Sequence, residues 1–171
     1  HGVGVTVVNF LSQWAEVEVS RDGFTWTQEY ERGVPTGPVM KGRATKKTGT
    51  KTTFKPDSQI FQTTKFAYDT LHKRLMELAF LNRGVRIKFR DERSDEEDEF
   101  HYERGIIEFV EHLNRNKTPI HDTVFHFMLT KDDVGVEASL QWNDGYQENN
   151  QYHVPAQSGI YPGKDTGKYT C

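Results

Sequence analysis

The chain has 171 residues, with 22 Lys and Arg against 25 Asp and Glu and a formal net charge of −3, so it can form one ordinary domain or parts of two. The near-neutral balance argues against a domain that coats nucleic acid, which carries an excess of Lys and Arg, and no apolar run approaches the roughly 18 residues that a membrane span requires. The single cysteine, Cys171, excludes an internal disulfide, while 11 Phe, 7 Tyr and 3 Trp provide large side chains for a core.

The amino-terminal segment combines a glycine-rich turn with a short apolar run. The chain opens on His1 rather than Met, in the middle of what reads as a motif, and we expect it to be a segment of a longer protein. The run from Thr6 to Ser12 follows the turn directly, which favours a helix opened by a glycine loop.

Alternating apolar and polar residues then predict a β-hairpin with one buried face. Residues 15–20 alternate, Asp22-Gly23 is a strong signal for a tight hairpin turn, and residues 24–30 alternate between aromatic and polar side chains. We therefore place two paired strands on either side of Asp22-Gly23.

The remaining elements are helices and hairpins in turn, an order that is typical of the α+β class. In chain order, we predict a Gly/Pro-rich connection over 33–38, a polar and turn-rich stretch over 43–51, and a short strand over 51–54. A helix follows that ends near Asn82, with Gly84 as its left-handed cap, and then a strand over 85–90. We place an acidic hairpin tip over 91–99 with a return strand through Phe100, an amphipathic helix over 106–113, a loop over 114–122, and an antiparallel pair over 124–129 and 134–142. From Asn150 onward, Gly and Pro interrupt any regular element.

The clearest local signal for chemistry is the turn that precedes the first helix, His1-Gly2-Val3-Gly4-Val5. Glycines let backbone N–H groups point toward an anion, and the start of a helix adds unpaired donors and the positive end of its dipole. A phosphate could be held there without a lysine, although most Gly-x-Gly turns are only turns.

The other chemistry-bearing residues have simpler interpretations. The 7 histidines lack convincing ligand spacing and are interpreted as surface or interface residues. The acidic run over 95–99 lacks the glycine and the spacing of a calcium loop, and the lysines between 46 and 55 are typical of a solvated loop. Serine-hydrolase and P-loop motifs are absent from the sequence.

Several stretches, in this order, strongly resemble the B subunit of bacterial type II topoisomerases. They are His1-Gly2-Val3-Gly4-Val5-Thr6-Val7-Val8-Asn9, Lys47-Thr48-Gly49-Thr50, Phe54-Lys55-Pro56-Asp57, Lys73-Arg74-Leu75-Met76-Glu77-Leu78-Ala79-Phe80-Leu81-Asn82, His101-Tyr102-Glu103, Asn114-Arg115-Asn116-Lys117-Thr118-Pro119-Ile120-His121 and Leu140-Gln141-Trp142-Asn143-Asp144-Gly145. The resemblance covers about residues 1–149. The stretches over 78–82 and 141–145 are more similar to the DNA gyrase branch than to topoisomerase IV.

This resemblance implies an α+β fold in two parts. Residues 1–105 would be the C-terminal part of a GHKL-type ATPase α/β sandwich, from the ATP lid onward (GHKL denotes gyrase, chaperone, histidine kinase and mismatch-repair proteins). Residues 106–149 would begin a ribosomal-protein-like transducer domain, and residues 150–171 would be an irregular divergent tail.

The resemblance also implies roles for individual residues. In the family, backbone N–H groups of the lid hold the ATP phosphates, and the matching positions are His1, Gly2, Val3, Gly4 and Val5. Thr50 matches a threonine that helps to hold adenine through a water, and Arg21 matches an arginine at the pocket mouth, where aminocoumarin drugs bind. Phe10 stands where the family usually has alanine, so its extra volume must find room.

A member of this family would be part of the ATP-hydrolysing subunit of DNA gyrase, a cytoplasmic, nucleoid-associated bacterial isomerase. The family implies ATP and Mg²⁺ as cofactors, double-stranded DNA, gyrase A and a second gyrase B as partners, and no membrane. It couples ATP binding and hydrolysis to duplex passage and negative supercoiling.

The family's general base, magnesium ligand, adenine-binding aspartate and terminal-phosphate lysine match no position of this sequence. We therefore expect no catalytic or metal-binding residue in the segment, and no ATP turnover by the segment alone. The alternatives are the B subunit of topoisomerase IV and a non-catalytic nucleotide-binding or interaction remnant.

Overall fold

A computed structural model describes residues 3–132 and 134–146, and the chain divides into two compact units, residues 1–65 and 66–171. Each unit combines helix with antiparallel strands, so the predicted α+β class is confirmed. The predicted tail over 150–171 lies outside the described residues.

The first unit is a short helix beside a five-stranded antiparallel sheet. Its elements are α1 (Gly4–Phe10), β1 (Ser12–Arg21), β2 (Phe24–Glu31), β3 (Val34–Pro35), β4 (Met40–Ala44) and β5 (Gly49–Pro56). The strand order is β3-β2-β1-β5, with β4 also paired to β2. The central strand β1 therefore hydrogen-bonds along both of its edges.

The predicted hairpin is confirmed, and the first helix is confirmed with different bounds. Asp22 and Gly23 form the turn with φ values of 54° and 80°, the left-handed backbone that favours glycine and aspartate in two-residue hairpins. Ser12, predicted to end the helix, instead begins β1, because its backbone pairs with Pro56 of β5.

Two short strands were not predicted: β3 lies within the predicted connection over 33–38, and β4 ends at Ala44, inside the predicted turn-rich stretch over 43–51. Both pair with the outer edge of β2, at Tyr30–Glu31 and at Phe24–Thr27 respectively. The strand β4 is short and all of its residues are exposed, so it carries no buried apolar face, and its pairing with β2 defines it.

The second unit contains two helices and two separate two-stranded sheets. Its elements are α2 (Tyr68–Leu81), β6 (Arg86–Asp91), β7 (Glu96–His101), α3 (Ile106–Asn114), β8 (Phe125–Lys131) and β9 (Val134–Leu140). Both predicted helices are confirmed, and Gly84 adopts the expected left-handed conformation with φ of 78°.

The acidic run predicted as a hairpin tip does lie at the β6–β7 hairpin, but only residues 92–95 form the turn. Residues 96–99 are part of β7, where Glu97 and Glu99 lie opposite Arg90 and Lys88. Arg86 forms an ion pair with Glu99, and Lys88 Nζ lies 3.4 Å from the other oxygen of the same carboxylate. Opposite charges across a strand pair stabilise each other, so the acidic side chains are compatible with a strand in this register.

Aromatic stacking forms the core of the second unit. Phe80 is 2% exposed, and its ring stacks on Tyr102 at 3.6 Å and on Phe109 at 4.9 Å between centroids. Gly105, which precedes α3, has φ of 55° and lies so close that an added Cβ would be 3.2 Å from the Phe80 carbonyl oxygen. This close approach lets α3 start beside the end of α2.

A network of side-chain amides connects the end of α3 to the segment after β9. The buried Asn114 donates to Gln141 Oε1 at 3.0 Å and accepts from Asn143 Nδ2 at 3.1 Å. Gln141 in turn donates to the His121 carbonyl at 3.0 Å. The matched motifs over 114–121 and 140–145 thus form one polar cluster.

We predict that Asn114→Leu lowers the free energy of unfolding by about 1–3 kcal/mol, because it removes the hydrogen bonds of the half-buried Gln141 Oε1 and Asn143 Nδ2 to the buried Asn114. Asn116→Leu, at an exposed neighbouring position, should change it by no more than about 0.5 kcal/mol. Urea denaturation of the full chain measures both, and equal effects would contradict the network.

Candidate functional site

The candidate phosphate-binding turn leads directly into α1. Val3 occupies the N-cap position with φ of −97°, and no side chain caps the helix there. The first backbone N–H groups of an α-helix have no acceptor within the helix, so those of the first turn of α1 are donors for an external group. Val3 and Val5 are exposed on this turn, whereas His1 and Gly2 lie outside the described residues.

A half-open cleft of about 160 Å³ separates α1 from the sheet. Its lining comes from both sides of the gap: Val5, Thr6, Val8, Asn9, Ala15, Val17, Tyr30 and Thr52. The Oδ1 atom of Asn9 is buried and has no hydrogen-bond partner among the described residues. The cleft is therefore mostly apolar, with a single unsatisfied acceptor on its helical side.

Thr50 and Arg21 lie on the sheet face that lines this cleft. Thr50 is paired with Val19, which shares a face with Ala15, Val17 and Arg21 because alternate residues of β1 point the same way. The Arg21 side chain is 78% exposed, and its Nε lies 3.5 Å from the Asp22 carboxylate. The structure thus brings the first turn of α1, Thr50 and Arg21 to one side of one sheet.

The described histidines contact single acceptors or backbone groups. His101 and His126 lie 2.7 Å and 2.9 Å from Glu103 and Glu137, and His121 accepts a hydrogen bond from the Trp142 N–H at 3.1 Å. Residues 3–132 and 134–146 contain no cluster of three or more His, Cys, Asp or Glu side chains that could hold a metal ion.

An ion pair at the far end of α1 was missed by the sequence analysis. Arg32 Nε donates to Asp57 Oδ2 at 2.7 Å, and the Asp57 side chain is only 3% exposed. The backbone N–H of Gln59 donates to the other carboxylate oxygen at 2.9 Å. An aspartate directly after a strand and a proline is a signal for such a side-chain-capped turn, but nothing local points to its partner.

Curated relatives of the chain are similar to it over most of its length. It is 53% identical over 151 residues to the DNA gyrase B protein of Halalkalibacterium halodurans, covering 87% of this chain and 24% of that protein. It is 46% identical over 148 residues to the gyrase B of Myxococcus xanthus, covering 86% and 18%, and 50% identical over 165 residues to that of Bacillus cereus, covering 95% and 41%. No protein-family model matches the chain.

A solved structure agrees in fold as well as in sequence. The 43K ATPase domain of Thermus thermophilus gyrase B, in complex with an aminocoumarin, superposes with a TM-score of 0.77 at 35% identity, covering 85% of this chain and 40% of that one. The chain belongs to the DNA gyrase B family. It spans about a quarter of the length of the Halalkalibacterium gyrase B, and its fold is that of part of the GHKL-type ATPase of gyrase B.

None of the helices in the described part of this gyrase B segment is long and apolar enough to cross a membrane.

The Arg32–Asp57 pair makes stability depend on pH at the acid end. The N–H of Gln59 and then the Arg32 guanidinium hold the pKa of Asp57 below its ordinary value. The stabilisation is therefore present above about pH 4 and is lost as pH falls through the lowered pKa.

We predict that Asp57→Asn loses less stability than the unsubstituted chain between pH 7 and pH 3. Asp22→Asn is the matched control, because the Asp22 side chain is 80% exposed and surface ion pairs contribute little. Urea midpoints across this range test the prediction, and an unchanged acid dependence in Asp57→Asn would contradict it.

Proposed function

We propose that the chain is the lid-bearing segment of the ATP-hydrolysing subunit of DNA gyrase, a type II topoisomerase that couples ATP binding and hydrolysis to duplex passage and negative supercoiling. The observation that carries the proposal is the common placement of the α1 first turn, Thr50 and Arg21 on one sheet face, in a chain 53% identical to a gyrase B. The Thermus relative binds an aminocoumarin, and the family resemblance is what assigns Arg21 to the pocket mouth.

Each part of the segment has a distinct task in this proposal. Backbone N–H groups of residues 1–5 hold the nucleotide phosphates, because unpaired amides at a helix start favour anions. Thr50 presents its hydroxyl on the adenine side, and Arg21 lies at the pocket mouth. Binding here would orient the nucleotide and exclude water; the proton transfers of hydrolysis require a base that no residue of this segment supplies.

The family's magnesium ligand matches no position of this sequence, and residues 3–132 and 134–146 contain no cluster of three or more His, Cys, Asp or Glu side chains, so in this proposal Mg²⁺ is held by residues outside the segment. The hydrolytic site would therefore be completed by parts of gyrase B outside this segment. In phosphoryl transfer, the metal and the positioned base supply most of the rate, so the segment alone should bind nucleotide weakly at most and should not turn it over.

We also propose that residues 1–105 close the ATPase domain and residues 106–149 begin the transducer, with 150–171 as a divergent tail. This proposal rests on the family resemblance and places the boundary at Gly105, where α3 starts within the second compact unit. The proposed partners are gyrase A, a second gyrase B and double-stranded DNA, in the bacterial cytoplasm and nucleoid. The B subunit of topoisomerase IV is not favoured, because the reported relatives are gyrase B proteins.

A chimaera tests the function. In it, residues 3–146 of this chain replace the matching segment of the Halalkalibacterium gyrase B. We expect the chimaera to hydrolyse ATP and, with gyrase A, to supercoil relaxed plasmid, whereas the 171-residue chain should release no phosphate with Mg²⁺. A folded but inert chimaera would favour the non-catalytic remnant, and turnover by the chain alone would overturn the division of roles.

A proline substitution that removes one backbone N–H group tests phosphate binding by the turn. We predict that Val5→Pro in the chimaera weakens binding of a non-hydrolysable ATP analogue about 10- to 100-fold, the loss of one hydrogen bond to a charged group. Proline is tolerated in the first turn of a helix, and the preceding Gly4 has no Cβ to clash with its ring. Val5→Ala keeps the N–H and should bind normally; equal affinities would contradict the assignment.

A further inference from the structure

The Phe10 ring occupies the space in which a side chain at position 33 would lie. An ideal Cβ at Gly33 would be 2.2 Å from Phe10 Cδ1 and 2.5 Å from Cε1. Gly33 has φ of 82°, and Arg32 before it has φ of 47°, so these two residues form a left-handed turn between β2 and β3. The last residue of α1 therefore packs directly on the backbone of this turn, and the extra volume of Phe10 finds its room there.

Hydrogen bonds fix the same end of α1 to two other strands. The Ser12 hydroxyl donates to the Val8 carbonyl at 2.6 Å, and the Asp57 N–H donates to the Leu11 carbonyl at 3.0 Å. Asp57 is in turn held by Arg32, the neighbour of Gly33. The C-terminal end of the helix is thus tied to the end of β5 and to the β2–β3 turn.

The opposite end of α1 has far less support. No side chain caps the helix at Val3. Val3 and Val5 are 59% and 66% exposed and Phe10 is itself 57% exposed, so the hydrogen bonds at the Phe10 end, rather than burial, distinguish the two ends of α1. Seven residues span about 10 Å at 1.5 Å per residue. A rotation of roughly 20° about the fixed end would therefore move the first turn by about 3 Å, the length of a hydrogen bond.

We propose that the contact of Phe10 with Gly33 is the pivot of the lid helix, and that Phe10 is a positioning residue for nucleotide binding. The inference rests on the proposed function, since α1 carries the phosphate-binding turn. Holding one end of the helix limits the positions that the first turn can take, and so lowers the entropic cost of orienting its N–H groups around a phosphate. Phe10 itself lies at the other end of the helix from the phosphates.

The chain offers a matched pair of glycines for the test. Gly23 has φ of 80° and follows Asp22 at 54°, almost the same backbone as the Arg32–Gly33 turn, but nothing lies within 4 Å of an added Cβ there. Gly33→Ala and Gly23→Ala therefore impose the same backbone strain, and only Gly33→Ala displaces the Phe10 ring.

The first readout is hydrogen exchange of the α1 amides, Val7 to Leu11, in the nucleotide-free full chain. We expect Gly33→Ala and Phe10→Ala each to speed their exchange about 10-fold, while Gly23→Ala and Phe10→Tyr leave it unchanged. Gly33→Ala and Phe10→Ala disrupt the same contact, that of the Phe10 ring with Gly33. The α1 amides of the double variant should therefore exchange no faster than those of Phe10→Ala alone. Equal exchange in Gly33→Ala and Gly23→Ala, or effects that multiply in the double variant, would overturn the pivot.

The second readout separates the pivot from the proposed function. In the chimaera, Gly33→Ala and Phe10→Ala should weaken binding of the non-hydrolysable ATP analogue about 10-fold relative to Gly23→Ala, with Phe10→Tyr binding normally. Faster exchange with unchanged analogue binding would overturn the positioning role of Phe10. Absence of analogue binding in the unsubstituted chimaera would overturn the proposed function, while the exchange result would still decide the pivot.

Discussion

The first unit depends on the strict alternation of side chains along β1. This strand pairs with β2 from Trp14 to Arg21 and with β5 on its other edge, so its register assigns every neighbouring side chain to one face or the other. A slip of one residue would exchange the two faces. It would turn Ala15 and Val17 away from the cleft, and would move Arg21 and the partner of Thr50 to the opposite side from α1.

In the second unit, the structure depends on an aromatic core and a polar network rather than on strand alternation. Its core is an aromatic stack centred on Phe80, and aromatic burial gives large but non-directional stabilisation. Direction comes from the polar network of Asn114, Gln141 and Asn143, because buried amides are favourable only in an arrangement that satisfies them. The apolar stack thus supplies stability to this unit, and the amide network selects its geometry.

The sequence predicted the elements whose residues carry a period of their own. The helices α2 and α3 follow from apolar residues at helical spacing, and the first hairpin follows from alternation around Asp22-Gly23. The strand β4 was not predicted, because its five residues include a single large apolar side chain, Met40, and its pairing with the edge of β2 depends on the fold. The acidic residues of β7 could not be placed either, since their compensation by Arg86 and Lys88 depends on a strand register that the sequence does not display.

In the candidate site, too, some features follow from local sequence and others depend on the fold. Backbone donors at a glycine turn can be read from local sequence, whereas the roles of Thr50 and Arg21 came only from resemblance, since a strand hydroxyl and a hairpin charge are common surface features. The ion pair of Arg32 with Asp57 joins residues 25 positions apart, and the contact of Phe10 with Gly33 likewise depends on how α1 returns to the sheet. The proposed phosphate-binding turn can therefore be predicted from local sequence, while its position is set by long-range packing. A helix that is anchored at one end and open at the other reconciles the two, because the open end can meet a ligand while the anchored end restricts where it may do so.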